Sequence, residues 1–282
     1  MTRNLTFAIC FALAATFVAS AQDATDAAGD ATAPVVPTGP SDLDHYKCYY
    51  VQSPFQQIPL LLQDQFDQAI SSTFVEKIID VRMVRFCNPV TKILNGTTTK
   101  MLRPADHLAL YLLNPQQTIP RNVVISNQFG YQVLNLRNAE ILAVPSGKSR
   151  TKPTAPIQIP TDLDHYKCYA ASGREIGVRP TLIDQFHTEV VQVLQPFLFC
   201  NPVHKTHPIG TKPTPILRPL DHLACYAITP TPFQTTVFYN NQFVNQSAQA
   251  PSLAIAPADM LCVPSFKLRW HVVSTPPQPP AG

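Results

Sequence analysis

The stretch Asp-Leu-Asp-His-Tyr-Lys-Cys-Tyr occurs at residues 42–49 and again, unchanged, at residues 162–169. Each copy opens a longer segment, and the two segments, 42–150 and 162–271, match along their length. A repeat on this scale decides the domain count before any single residue is interpreted. The sequence therefore predicts two similar domains, with these boundaries. Further motifs shared by the two segments are Cys-Asn-Pro-Val at 87–90 and 200–203, and Leu-Arg-Pro at 102–104 and 217–219.

Each segment is itself made of two shorter units. An Asp-His pair opens every unit, a triplet of Asp or Asn followed by Gln-Phe lies further on, and a proline with a lysine three residues later closes it. The Asp-His pairs are Asp44-His45, Asp106-His107, Asp164-His165 and Asp221-His222. The triplets begin at Asp64, Asn127, Asp184 and Asn241, and the closing lysines are Lys92, Lys148, Lys205 and Lys267.

The units are predicted to consist of strands. Residues 46–51 and 81–86 are rich in aromatic or β-branched side chains, and the second run alternates between apolar and polar residues. One unit cannot bury a face alone, so two units are expected to pack on each other. The predicted fold is all-β, with two tandem β-sandwich or barrel-like domains, each a pseudo-twofold pair of units. Residues 73–80 are the one stretch that suggests a helix.

The N-terminus has the pattern of a secretory signal peptide. Arg3 precedes an apolar run that ends at Ala19-Ser20-Ala21, the small-residue form that signal peptidase cleaves. We therefore expect residues 1–21 to be removed and the protein to be periplasmic or extracellular, without a transmembrane segment in the mature chain. Three segments rich in Pro or small polar residues are expected to be a disordered spacer (22–41), a Pro-rich linker (151–161) and a disordered tail (272–282).

The net charge of +3 at pH 7 is too close to neutral to suggest a nucleic-acid partner. Charged residues make up 14% of the chain and 29 residues are proline, which favours strands and turns over helices.

Six of the seven cysteines remain after the signal peptide, which contains Cys10. An even number is typical of an oxidising compartment. The second unit has Leu110 and Ala143 where the other units have cysteines, so both members of one pair are missing together. Paired loss is what a disulfide within each unit predicts. The predicted disulfides are Cys48–Cys87, Cys168–Cys200 and Cys225–Cys262, with Leu110 and Ala143 packed at the same place.

No catalytic residue, cofactor site or metal site is predicted. The weak metal candidates are His204 and His207, which follow Cys200 in a Pro-rich turn of one unit only. Neighbours in a strand point to opposite faces, so the four Asp-His pairs are interpreted as structural groups that satisfy the backbone. The aromatic residues Tyr50, Phe55, Phe233, Phe238, Tyr239 and Trp270 suggest either core packing or a carbohydrate- or protein-binding surface.

These motifs together resemble an uncharacterised domain of exported bacterial proteins that often occurs in tandem. The resemblance rests on Asp-His-Tyr-Lys-Cys-Tyr, Asp-Gln-Phe, Cys-Asn-Pro-Val-x-Lys, His-Leu-x-Cys-Tyr, Asn-Gln-Phe and Leu-Cys-Val-Pro-Ser-x-Lys, over 42–148 and 162–267. It implies a secreted, β-rich module of unknown function and supplies no catalytic residues.

The first functional hypothesis is a secreted, non-enzymatic module that binds or builds structure in the bacterial envelope or outside the cell, with an envelope protein or glycan as partner. The alternatives are a secreted hydrolase with an unrecognised site near residues 200–207, and a protease inhibitor whose exposed loop is 206–215. Asymmetry discriminates among them, because an enzyme should have a polar cluster that one repeat contains and the other lacks.

Overall fold

The computed structural model describes residues 39–40, 42–114, 120–244 and 249–273. The predicted signal peptide 1–21 and most of the spacer 22–41 and tail 272–282 lie outside these described residues. The prediction of an all-β fold is confirmed. The described elements are β1 (His45–Val51), β2 (Gln56–Gln63), α1 (Gln65–Ile70), β3 (Glu76–Leu94), β4 (Thr97–Thr99), β5 (His107–Leu113), β6 (Arg121–Asn127), β7 (Gly130–Ser149), β8 (Tyr166–Ser172), β9 (Thr181–Ile183), β10 (Thr188–Val190), β11 (Val193–Pro202), β12 (His204–Thr206), β13 (His222–Ile228), β14 (Thr235–Asn240) and β15 (Ser252–Val272).

Eight strands form a closed antiparallel ring, in which each unit supplies two neighbours. Around the ring the order is β1, β3, β5, β7, β8, β11, β13 and β15, and β15 pairs again with β1. The strands thus follow one another in chain order. In every unit the first ring strand begins at or next to the histidine of the Asp-His pair, and the second carries the closing proline.

The two segments share this ring, which differs from the predicted pair of separate domains. Residues 42–150 supply the first four ring strands and residues 162–271 supply the other four, joined by the β7–β8 and β15–β1 ladders. All the described residues, from 39 to 273, belong to one compact unit. The physical reason is that four strands alone would leave two edges with unpaired backbone groups, which closure of the eight-stranded ring removes.

The inside of the ring is filled by side chains. Successive residues of a strand point to opposite faces, and one face of all eight ring strands meets in a single buried cluster. That cluster contains the six cysteines together with Tyr46 and Tyr166, all at most 3% exposed. The outer face of the ring carries a second, larger cluster, which the remaining strands and α1 cover.

The disulfides of the structure are Cys48–Cys87, Cys168–Cys200 and Cys225–Cys262, the three pairs that the sequence predicts. The two cysteines of each pair lie directly opposite one another on neighbouring ring strands. Leu110 and Ala143 are opposite one another in the same way on β5 and β7, within the same cluster. The second unit therefore has an apolar contact where the others have a covalent bond.

Residues 73–80 do not form the helix that the sequence suggested. From Glu76 onward they belong to β3, where Glu76 and Ile78 are buried while Lys77 and Ile79 are exposed, a period of two. The helix α1 lies earlier, because Asp64 caps it by accepting hydrogen bonds from the backbone N–H groups of Phe66 and Asp67.

The linker 151–161 contains no strand but packs closely against the body of the protein. Asn240 Nδ2 donates to the carbonyl of Ile157 at 2.7 Å. The linker also lies close to Gly147 of β7. A Cβ atom added at Gly147 would be 2.0 Å from the carbonyl oxygen of Gln158.

We predict that Gly147→Ala displaces the linker from β7, because backbone at this distance cannot accommodate a methyl group. The expected result is a loss of about 1–3 kcal/mol in the free energy of unfolding and faster proteolytic cleavage within 151–161. Denaturant unfolding and timed proteolysis with mass spectrometry measure both. Thr154→Ala, at an exposed position of the linker itself, is the control and should leave both measurements unchanged. If Gly147→Ala were cleaved at the same rate as the wild-type protein, the linker would not be held at this contact.

Candidate functional sites

Four equivalent polar clusters link each unit to the unit two places further round the ring. In each, the first residue of an Asp/Asn-Gln-Phe triplet bonds to a buried tyrosine on a ring strand, and we call this arrangement the Asx–Tyr cluster. The bonds join Asp64 to Tyr169 (3.0 Å), Asn127 to Tyr226 (2.9 Å), Asp184 to Tyr49 (2.8 Å) and Asn241 to Tyr111 (2.9 Å). The segments between the ring strands therefore reach across to the opposite unit.

The triplet phenylalanine completes each cluster. The second carboxylate oxygen of the Asp, or the amide oxygen of the Asn, accepts the backbone N–H of the phenylalanine two residues on, a turn that these side chains favour. These bonds lie between 2.9 and 3.0 Å. The ring of that phenylalanine then packs edge-on against the same tyrosine, with centroids 5.1 to 5.2 Å apart. The triplet phenylalanine is thus a packing residue.

The closing lysine of each unit lies over the triplet phenylalanine of the next unit. Lys148 Nζ is 4.3 Å from the ring centroid of Phe186, and Lys267 Nζ is 4.4 Å from that of Phe66. Such contacts stabilise a cation through the ring quadrupole. Burial lowers the pKa of Lys148 and of Lys267 to about 7. The equivalent contacts at 5.5 to 5.8 Å involve Lys205 with Phe243 and Lys92 with Phe129.

The four clusters are of two kinds, one charged and one neutral. In the cluster of Asp184, buried Lys47 donates to Glu189 at 2.8 Å and lies 3.5 Å from Asp184. Burial opposes ionisation of Asp184, but Lys47 and hydrogen bonds from Asn88 and Tyr49 outweigh it and hold the pKa of Asp184 below its usual value. The cluster of Asp64 likewise contains a buried lysine, Lys167, which pairs with Asp67 and Glu76.

In the neutral clusters amides replace the acids. Asn127 and Gln132 occupy the places of Asp184 and Glu189, and both donate to the Tyr226 hydroxyl, at 2.9 and 2.8 Å. Ala224 stands where Lys47 stands in the charged cluster, two residues after the histidine of its unit. The lysine two residues after the histidine is therefore present where the cluster has carboxylates, and alanine takes its place where the cluster has amides.

The aspartates of two Asp-His pairs bind backbone of the following unit. Asp44 accepts the N–H groups of Leu102 and Arg103 at 2.7 and 2.8 Å. Asp164 accepts those of Leu217 and Arg218 at the same two distances. This agrees with the structural interpretation of these pairs.

The histidines of the Asp-His pairs are buried. They do not share the backbone N–H groups that Asp44 and Asp164 bind. His45 contacts Gln128, and His165 contacts Gln242, each through Nε2. Burial, reinforced by nearby Lys92, lowers the pKa of His45 to about 3, and burial with Lys205 does the same for His165. Burial also lowers the pKa of His107 and of His222.

These histidines predict a loss of stability in acid. Neutral in the fold, they take up protons in the unfolded chain below pH 6.5, so their contribution is complete above that pH and falls between pH 6.5 and about 3. One such group changes the unfolding free energy by at most about 1.4 kcal/mol per pH unit. Denaturant unfolding at pH 7, 5 and 4 should show this slope, and His45→Asn should make it shallower by nearly that amount. An equal slope in wild type and His45→Asn would contradict the assignment.

The weak metal candidates do not form a metal site in the structure. His204 Nδ1 donates to the carbonyl of Thr214 at 2.9 Å, and His207 Nδ1 lies 3.1 Å from that of Pro59. Cys200 is in a disulfide. Within the described ranges no group of three or more His, Cys, Asp or Glu side chains could hold a metal ion.

The remaining sequence candidates are divided between core and surface. Tyr239 is buried, Phe233 and Trp270 pack partly buried against the outer cluster, and Tyr50 and Phe55 are 43% and 56% exposed. Tyr50 and Phe55 are thus the exposed members of the aromatic set that suggested a binding surface. No helix in the described part of the chain has the length and apolar character that a membrane crossing requires.

Comparison with known proteins yields one similarity. A family model described as a repeat of unknown function (DUF7450) matches residues 107–263. The match runs from β5 into β15 and spans the linker, so it covers ring strands of both segments. No curated protein and no solved structure matches the chain.

Proposed function

We propose, for a chain that belongs to the DUF7450 family of repeats of unknown function, that it is an exported, non-enzymatic module that binds or builds structure. Three disulfides are typical of proteins that fold in an oxidising compartment such as the periplasm or the extracellular space. The bacterial envelope, with a protein or glycan partner, is the setting that we propose for it.

The observation that carries this proposal is the fourfold repetition of the Asx–Tyr cluster. Catalysis needs a reactive group that substrate can reach, and active sites place such groups in an accessible cleft. Here the carboxylates, tyrosines and lysines of the clusters face one another at 9% exposure or less, except for Lys148 and Lys267, which are partly buried. Their hydrogen bonds connect units two places apart, which suits a rigid scaffold.

The hydrolase alternative draws less support from the geometry. The region around Cys200, His204 and His207 is the part of the chain that it requires. There the cysteine is bonded to Cys168, and one nitrogen of each imidazole faces a backbone carbonyl. The second ring nitrogen of each imidazole takes no part in these contacts. None of the contacts involves a serine or a thiolate that could act as a nucleophile beside it.

Two assays on the purified protein test the proposal. Immobilised protein is exposed to envelope fractions and to a glycan array, and the same preparation is assayed against generic ester, glycoside and peptide substrates. We expect a saturable partner and no turnover above that of the boiled protein. Turnover that His204→Ala abolishes, with nothing retained from envelope or glycans, would overturn the proposal in favour of a hydrolase.

A further inference from the structure

The main departure from the repeat pattern lies in the loop after β12. In the first unit, the turn at Asn95 and Gly96 allows β4 to pair with β3, with Lys92 opposite Thr99. The corresponding loop of the third unit contains Pro208, Pro213 and Pro215, which lack the N–H that a ladder needs. Only Thr214 returns to the strand, where its N–H donates to the carbonyl of Lys205 at 2.8 Å.

This loop borders a cavity that is open to the solvent. β12 pairs with β2, placing His204 opposite Gln63 and Thr206 opposite Leu61. The prolines of the loop then stand off from β2, and the space between them measures about 440 Å³. That volume lies within the range of about 300–1,000 Å³ that is usual for small-ligand sites.

The walls of the cavity are mainly aliphatic. The side chains of Leu61, Val75, Pro213 and Pro215 line it, whereas Leu62 borders it but has its side chain fully buried in the core. Val75 is 45% exposed although it is β-branched and apolar. Covering such surface with an aliphatic chain is favourable, because apolar area is removed from water.

The polar groups at the cavity favour a negative charge. Gln63 lines it, but its amide already donates to the carbonyls of Ser72 and Phe74, at 2.9 and 2.8 Å. Lys212 lines it too and, among the described residues, makes no ion pair within 4.0 Å. The His204 ring is held through Nδ1, which leaves Nε2 as its second polar atom. No Asp or Glu lines the cavity.

We infer that this cavity binds a medium-chain aliphatic carboxylate, with the chain against Leu61, Val75 and Pro213 and the carboxylate at Lys212. The inference rests on the proposed binding role and names a ligand class for it. The site lies in a loop where the third unit differs from the first. Side chains at such a position are not needed for the hydrogen bonds that all four units share.

The test uses octanoate, octanol and acetate as probes of the purified protein with methyl-labelled Leu and Val. We expect octanoate to shift the methyl resonances of Leu61 and Val75, and acetate to bind at least about tenfold more weakly because it lacks the chain. Lys212→Gln should weaken octanoate about fivefold, as for one exposed charge pair, and leave octanol unchanged. Lys100→Gln, an exposed lysine in the corresponding loop of the first unit, should change neither.

Two results would overturn the inference. One is that octanoate leaves the methyl groups of Leu61 and Val75 unshifted in the wild-type protein, which no folding defect of a variant can explain. The other is that Lys212→Gln and Lys100→Gln weaken octanoate equally, since a general loss of positive charge would then account for binding. In either case, if the Lys212→Gln protein still retained an envelope or glycan partner, the proposed binding role of the module would be unaffected.

Discussion

Lys47→Ala is expected to destabilise the protein by about 3–5 kcal/mol, the cost of leaving buried carboxylates without their cation. Lys47 is fully buried, with Glu189 at 2.8 Å and Asp184 at 3.5 Å. Removing its ammonium group leaves two acids with little access to water. Chemical denaturation with the disulfides intact, read as the change in midpoint at constant slope, measures the loss.

The chain itself supplies the variant that should restore stability. The neutral cluster contains Asn127, Gln132, Ala224, Val263 and Ser265 at the places of Asp184, Glu189, Lys47, Asn88 and Val90. The quintuple variant Lys47→Ala/Asn88→Val/Val90→Ser/Asp184→Asn/Glu189→Gln copies that set and should recover at least half of the loss. Replacement of a buried charge network as a whole is often close to neutral.

The substitutions at 88 and 90 test the hydrogen-bond geometry. Asn88 Nδ2 donates to Asp184 at 2.9 Å, while its oxygen accepts from Lys148 at 2.5 Å. With Asn at 184 and Asn88 retained, two amide donors would face each other, so the triple variant that keeps Asn88 and Val90 should recover less. Lys152→Ala, in the exposed part of the linker, is the control and should stay within about 0.5 kcal/mol of wild type. A quintuple variant no more stable than Lys47→Ala would contradict the equivalence of the clusters.

Cys225→Leu/Cys262→Ala is expected to fold with the same ring and to lose about 3–4 kcal/mol, the chain-entropy contribution of one disulfide. The bond closes a loop with a sequence separation of 37. The variant copies Leu110 and Ala143, which face each other across β5 and β7 as these cysteines do across β13 and β15. Packing should therefore be preserved. Cys225→Ser/Cys262→Ser should lose more, because hydroxyl groups would be buried in an apolar cluster.

The reciprocal variant gives the matched control. Leu110→Cys/Ala143→Cys places cysteines at the corresponding pair of the second unit and should form a fourth disulfide, with a gain of about 3 kcal/mol by the same estimate. Peptide mapping without reduction and denaturant unfolding check both. Free thiols at 110 and 143 in the folded variant would show that the second unit does not share the register of the others.

The disulfides could be predicted because the repeat contains its own comparison. Leu110 and Ala143 stand together in place of a cysteine pair, so the pairing within units followed from residues alone. The packing role of the triplet phenylalanines and the structural role of Asp44 and Asp164 were also accessible, since side chains of these types have few other uses at strand boundaries.

The pairing of Lys47 with Asp184 and Glu189 was not predicted, although a signal for it exists. Lysine follows the histidine by two residues in units that contain Cys-Asn-Pro, and alanine takes its place in units that contain Val-Pro-Ser. The first triplet residue is Asp in the units with that lysine and Asn in the units with alanine. The residues that contact each other, however, lie in units two places apart. Without the ring order, nothing in the chain says which lysine should be compared with which acid.

By itself, the sequence determined the four units, their all-β character and the three cysteine pairs, because these depend on local pattern and on repetition along the chain. Only the tertiary structure decided that the four units close one ring instead of forming two domains. That choice depends on which strand edges pair, through β7 with β8 and β15 with β1. Backbone hydrogen bonds between edges carry no side-chain signature, so the sequence cannot distinguish closure of one ring from closure of two.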